Sequence, residues 1–269
     1  MRKSRLWLMV CWLIGLSSAR VGRTYEINLL PTFSFEEFYL APLRVHLLQS
    51  QDVADLHCRL TEKDVLRILG KVNKIWAQAG IQFCLESLVI EEAVHQEEYK
   101  ALNGSVPLEF HLRLRPEASK AEGMFHVYYL HNMSVNGVYL QADGIFVKDS
   151  ARLREVEGGM DEPLPRVTAH ELGHALGLSH RQDRVNLMAS GTTGFSLNDM
   201  EIERARAKAK SLKWIRSVAD VAQMANENFL MKNVREAKKL YEWLVAIPGE
   251  SAVKELAKRR LEMLRKQGA

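Results

Sequence analysis

The residues that could do chemistry are gathered in one run, His170-Glu171-Leu172-Gly173-His174-Ala175-Leu176-Gly177-Leu178-Ser179-His180, with Met188 eight residues further on. On a helix, positions i and i+4 share a face, so His170 and His174 can offer imidazole nitrogens to one ion. Zinc suits such ligands, four groups standing about 2.0–2.1 Å away in a tetrahedron. Glu171 sits one step round the helix, where a general base for a water on the metal belongs. Gly177 can end the helix in a left-handed turn, which brings His180 back under the metal. Three histidines leave one position open, as in a catalytic zinc site. The competing readings are a histidine-rich amphipathic helix facing water, and an inactive relic of such a site.

The full pattern H-E-x-x-H-x-x-G-x-x-H, with Asn186-Leu187-Met188 behind it, resembles the metzincin zinc proteases. The resemblance implies that His170, His174 and His180 hold zinc, that Glu171 is the catalytic base, and that Met188 is the supporting methionine of a tight turn. The Gly-Leu-Ser-His wording looks most like matrixins. Arg181 follows the third histidine, where adamalysins have aspartate and astacins glutamate, and Ser190 stands where an extra tyrosine ligand would be. The Pro-Arg-Cys-Gly setting of the matrixin latency switch is not matched by Cys58. By the same resemblance Gly191 to Phe195 forms the outer wall of the pocket for the residue after the scissile bond.

The elements that must position this run are partly legible. Leu43 to Leu48 alternates as a strand. Thr61, with Asp64 three residues on, caps a helix whose apolar face runs Val65, Ile68, Leu69, Val72, Ile75, Trp76 and Ala79, and Gly80 stops it. Ile81 to Ile90 reads as the next strand, so the opening is a right-handed βαβ unit. Glu91 to Lys100 is a loop or short helix, Leu108 to Leu114 an alternating strand, and Met124 to Leu130 another. Asp143-Gly144 marks a turn between Gly137–Leu140 and Ile145–Val147. The resemblance makes Gly137, Val138, Tyr139 and Leu140 the sheet edge on which an extended substrate adds as a strand; the alternative is a plain hairpin at the rim. The zinc-site helix is expected to begin at Arg166, after Pro163 and Pro165, and a further helix spans Asn198 to Leu212. The expected fold class is therefore α+β: a twisted, mostly parallel sheet with an antiparallel edge strand, a backing helix and the zinc-binding helix, followed by an all-α extension.

Charge and composition narrow the rest. Hydrophobic residues at 47% and charged residues at 26% exclude a disordered chain, and a net charge of +4 with no basic, aromatic-laced stripe argues against nucleic-acid binding. Arg2, Lys3 and Arg5, the apolar run Leu6 to Leu16, then Ser17-Ser18-Ala19, describe a signal peptide cut after Ala19 and hence a secreted chain. The run is too short for a stable membrane span, although an uncleaved anchor or a buried helix is the alternative. The domain reading is 1–19 signal peptide, 20–42 lead-in or short pro-segment, 43–212 protease domain and 213–269 helical extension. Ala222, Ala225, Phe229, Ala237, Tyr241 and Pro248 in the extension are spaced weakly like one tetratricopeptide unit, so it packs on the protease domain or offers a protein-interaction surface. Cys58 and Cys84 are either bridged or two separate buried thiols. Asp149, Glu155, Glu157, Asp161 and Glu162 could include calcium ligands but read better as solvated charges. His46, His57, His95, His111, His126 and His131 lack ligand spacing and read as structural. The expected activity is a zinc-dependent endopeptidase acting on peptide or protein substrates. The alternatives are a catalytically silent binding module and a zinc hydrolase of a non-peptide amide.

Overall fold

The computed structural model describes residues 33–141 and 144–266, so the expected signal peptide and most of the lead-in lie outside the described residues. A short 3-10 turn, Phe35–Glu37, leads into strand β1, Tyr39–Gln49. Helix α1, Glu62–Trp76, follows with the expected reciprocal cap, Thr61 Oγ1 accepting from Asp64 N at 3.3 Å and Asp64 Oδ2 accepting from Thr61 N at 3.0 Å. Strand β2, Ile81–Glu92, returns parallel to β1. Then come α2 (Gln96–Ala101), β3 (Phe125–Leu130), β4 (Gly137–Leu140), β5 (Gly144–Lys148), α3 (Pro163–Ala175) and α4 (Asp199–Ser211). The two-residue β6 (Arg216–Ser217) precedes α5 (Val218–Leu230), α6 (Val234–Ala246) and α7 (Ala252–Lys266).

The sheet order is β2-β1-β3-β5-β4, parallel except for β4, and β6 pairs antiparallel with the start of β1. Alternate residues feed two cores. Val45, Leu47, Val127, Tyr129, Ile145 and Val147 face α1 and α3, whereas Leu48, Tyr128, Leu130 and Phe146 face the opposite layer. A third cluster joins Phe35, Phe38, Leu40 and Cys84 to Val221, Ala225, Leu240, Tyr241 and Leu244, so the C-terminal helices pack on the back of the sheet. Trp243 Nε1 donates to the Leu85 carbonyl at 3.2 Å across that join.

Three expectations need correction. Leu108 to Leu114 is a 3-10 helix, not a strand. Its apolar alternation also fits three residues per turn: His111 and Leu114 share the buried face, and Leu108 O accepts from His111 Nδ1 at 2.9 Å. β1 begins at Tyr39, before Pro42, because the missing N–H of Pro42 falls in the gap between β6, which pairs at Tyr39 and Leu40, and β3, which joins only from Leu43. α3 begins at Pro163 and not Arg166, since a proline in the first turn has no hydrogen bond to lose there. Cys58 and Cys84 are both free and buried, one in the core between sheet and α3, the other in the core shared with the C-terminal helices.

Candidate active site

α3 carries the motif, and three contacts fix it. Trp76 Nε1 on α1 donates to the Ala169 carbonyl at 3.2 Å, Thr168 Oγ1 meets Tyr129 Oη at 2.7 Å, and Leu172 is fully buried. The helix ends as its sequence dictates. Gly177 has φ 82°, its N–H donates to His174 O, and Leu178 N–H reaches back to Gly173 O, each at 2.9 Å. That is a Schellman stop, and it turns the chain back towards His180.

The three imidazoles converge. One nitrogen from each of His170, His174 and His180 lies within 4.8 Å of the others, and the Nε2 atoms of His174 and His180 are 3.1 Å apart. Tetrahedral nitrogens about 2.05 Å from zinc would stand roughly 3.3 Å from one another, so the set fits a small ion with little adjustment. The tautomers are fixed from behind. His170 Nδ1 donates to Leu187 O at 2.7 Å and His174 Nδ1 to Leu178 O at 2.8 Å, which leaves each Nε2 lone pair facing the centre. Burial, helped by the Arg166 charge, lowers His170 to about 3, and burial also lowers His174, so both rings are held neutral as metal ligands must be.

Glu171 is buried beside them. Burial pushes its carboxyl up to about 8, against the pull of Arg166 and of a hydrogen bond from the Tyr139 backbone N–H. β4 is the outer strand of the sheet and runs directly past this carboxyl. A Cβ on Gly137 would fall 2.6 Å from Val167 Cγ1 and 2.8 Å from Glu171 Oε1, so only glycine admits this approach.

Beneath the histidines lies Met188, fully buried. A Cβ on Gly173 would meet its sulfur at 2.6 Å, so the helix has no side chain where the methionine passes. The turn is held by residues that sequence reasoning passed over. Asn186 Oδ1 accepts from Met188 N at 2.6 Å, while Asn186 Nδ2 donates to Glu201 Oε2 at 2.7 Å. The other oxygen of Glu201 accepts from Arg181 Nε at 2.8 Å, joining the segment after His180 to the methionine turn and to the start of α4. Arg166, expected only as a helix start, is 1% exposed. Its guanidinium donates to Gly194 O at 2.9 Å, to Asn186 O at 3.4 Å, and to Ala189 O. It therefore ties both the methionine turn and the 191–195 segment to α3. A cation in an otherwise apolar turn was the available signal, but Glu162, four residues earlier, offered a misleading partner. Glu162 pairs instead with Arg67 and Lys71 of α1.

The remaining histidines have protein partners. His46 bridges Glu91 (2.7 Å) and His126 (2.9 Å), His131 meets Asp149 (2.6 Å), His95 meets Glu98 (2.8 Å), and His57 and His111 donate to backbone carbonyls at 2.9 Å. Of the acidic residues weighed for calcium, Asp161 is paired with Lys71, Glu162 with Arg67, and Asp149 also accepts from Arg59 N at 2.6 Å.

With this geometry in place, comparison with known proteins adds a partial likeness. Residues 96–207, a span containing β3 to β5, the motif and most of α4, match the Matrixin peptidase family model, which is less than half of the chain. No curated protein matches. Among solved structures the chain is similar to a chaperone–substrate complex, at 10% identity and TM-score 0.41 over 66% of this chain; it spans only 36% of that one. It is also similar to archaemetzincin from Methanopyrus kandleri, at 16% identity and TM-score 0.39 over 64% of this chain and 96% of that one. Likeness at this level carries no weight for mechanism.

Proposed function

We propose, from a matrixin-like segment whose three histidines converge beside a buried glutamate, that this chain is a zinc-dependent endopeptidase. The matrixin match supports a zinc metallopeptidase, and the observation that carries the finer reading is the meeting of four groups. Three imidazole nitrogens lie within 4.8 Å of one another, and the adjacent buried carboxyl of Glu171 lies against the outer strand of the sheet. His170, His174 and His180 would hold the ion. Zinc bound there supplies Lewis acidity, polarising a carbonyl and acidifying a water. Glu171 takes that water's proton and passes it to the leaving amine. The β4 edge aligns an extended peptide across the cleft, and Met188 packs beneath the histidines as a soft floor.

On this reading residues 43–212 are the peptidase unit and the helices from 213 onwards are an extension braced against it. The amino-terminal pattern of basic, apolar and small residues supports export of the mature chain. Among the described residues no helix is long and apolar enough to cross a membrane. The test is cleavage of a mixed peptide library by the purified chain, with chelator, after zinc is restored, and with Glu171→Gln. Glu171→Gln should bind zinc normally and lose turnover by about 100- to 10,000-fold. Undiminished cleavage by that variant would remove the assigned role.

A further inference from the structure

A cavity of about 710 Å³ adjoins the candidate site at Tyr139 and Ala175, and its walls explain what it would take. One of its lining residues, Tyr139 on β4, belongs to the site already described through its N–H bonded to Glu171, and a second, Ala175, follows His174 on α3. The cleft has two distinguishable ends. Gly137 lies against Val167 near the start of α3, and Arg166, also near the start of α3, donates to Gly194 O of the 191–195 segment at 2.9 Å. Tyr139 and Ala175 lie at the other end, where the cavity reaches the starts of β3 and β5.

The cavity's chemistry is uneven in charge. Lys208 and Lys120 line it together with Arg115, while Glu122 is the one carboxylate among its lining residues. Lys208 is exposed on α4, and Lys120 is half-buried and shared with Glu117. Trp214, standing edge-on to Phe125 with ring centres 4.7 Å apart, contributes an apolar wall. An anion entering such a space meets positive potential and loses less solvation than it would against apolar walls alone.

We propose that this cavity is a substrate subsite for an acidic side chain, aspartate or glutamate, lying on the N-terminal side of the bond cleaved. The side follows from strand direction. A peptide laid antiparallel on β4, the more stable pairing, runs from the Leu140 end towards Gly137, so its N-terminal half passes the cavity and its C-terminal half passes the 191–195 wall. The proposal deepens the peptidase reading and rests on it.

The experiment uses the zinc-loaded full chain and peptides that differ only in Glu, Gln or Lys at the residues before the scissile bond. An exposed ion pair is worth up to about fivefold, so the Glu peptide should have a KM roughly tenfold lower than the Lys peptide at low salt, with kcat little changed. The preference should shrink as salt is raised. Lys208→Glu, an exposed change that leaves the core untouched, should erase or invert it. Equal KM values, or a Glu preference untouched by Lys208→Glu, would overturn the subsite. Binding of the same labelled peptides, followed by anisotropy, separates the two claims. If nothing is cleaved but acidic peptides bind best and Lys208→Glu abolishes that, the peptidase reading fails while the anionic site stands. If neither cleavage nor binding favours acid, the site is gone.

Discussion

Replacing Gly137 by alanine probes the closest contact in the active site. An ideal Cβ there lies 2.6 Å from Val167 Cγ1, 2.8 Å from Glu171 Oε1 and 2.9 Å from Glu171 Cγ. Unbonded carbons settle at about 3.5–4.0 Å, so roughly 1 Å of space must be found. Gly137 does not adopt a left-handed backbone, so crowding alone carries the effect. Either β4 withdraws from α3 or the Glu171 carboxyl swings off the position at which it accepts from the Tyr139 N–H. A displacement of about 1 Å in a reacting group costs on the order of 100-fold in rate. Overpacking of this kind costs about 1–3 kcal/mol, which a domain with ordinary stability of about 5–15 kcal/mol survives. Zinc affinity should hold, because His170 and His174 are anchored to Leu187 and Leu178 and not to β4. The assay is kcat and KM on a cleaved peptide, a chelator competition for zinc, and a urea midpoint. A kcat within twofold of the parent in folded, zinc-replete protein would refute the argument. Parallel loss of zinc would show that β4 supports the ligands and not the base.

Other perturbations test the supports of the site. Arg166→Met strands the carbonyls of Gly194 and Ala189, while Asn186 O keeps the Ala189 N–H; at about 1–3 kcal/mol for each buried acceptor, less the relief of a buried cation, unfolding free energy should drop by about 2–4 kcal/mol, and a drop below 1 kcal/mol in urea titrations would contradict the assigned anchoring. Burial lowers His46 to about 3 and also lowers His111 and His126, so these rings are neutral in the fold while the unfolded chain protonates them near 6.5. Their stabilisation is complete above pH 6.5 and is lost as pH falls below it, for His46 down towards 3, at up to about 1.4 kcal/mol per unit for each group; Glu91, raised by burial, offsets part of this as it takes up its proton. His46→Asn should flatten the stability profile between pH 6.5 and 5, and an unchanged slope would mean the histidine is not desolvated. Burial also pushes the Cys58 thiol up to about 12 and Cys84 well above its usual range, so neither should react with iodoacetamide at pH 8 until denaturant is added. Rapid native-state labelling of either would contradict the packing.

The sequence by itself determined whatever depends on neighbours a few residues apart. The cap Thr61–Asp64, the apolar stripe Val65 to Ala79, the His170–His174 pair on one helix face and the Gly177 stop are all written in spacings shorter than two turns, and each appears where the residues require it. Where two periods fit the same short string, as at Leu108–Leu114, local reading chose wrongly, because burial of His111 against the sheet decides between them. Tertiary structure alone decided the contacts that join distant segments. Arg166 finds its acceptors 20 to 28 residues away and not at its helical neighbour Glu162. Glu201, legible as the third residue of a capping box, also binds Arg181 and Asn186 once α4 folds beneath the methionine turn. Cys58 and Cys84, separated by one helix in the chain, end in different cores, and Gly137 is required only because β4 is laid against Glu171. Such pairings depend on how whole layers pack, a property that no window of adjacent residues contains.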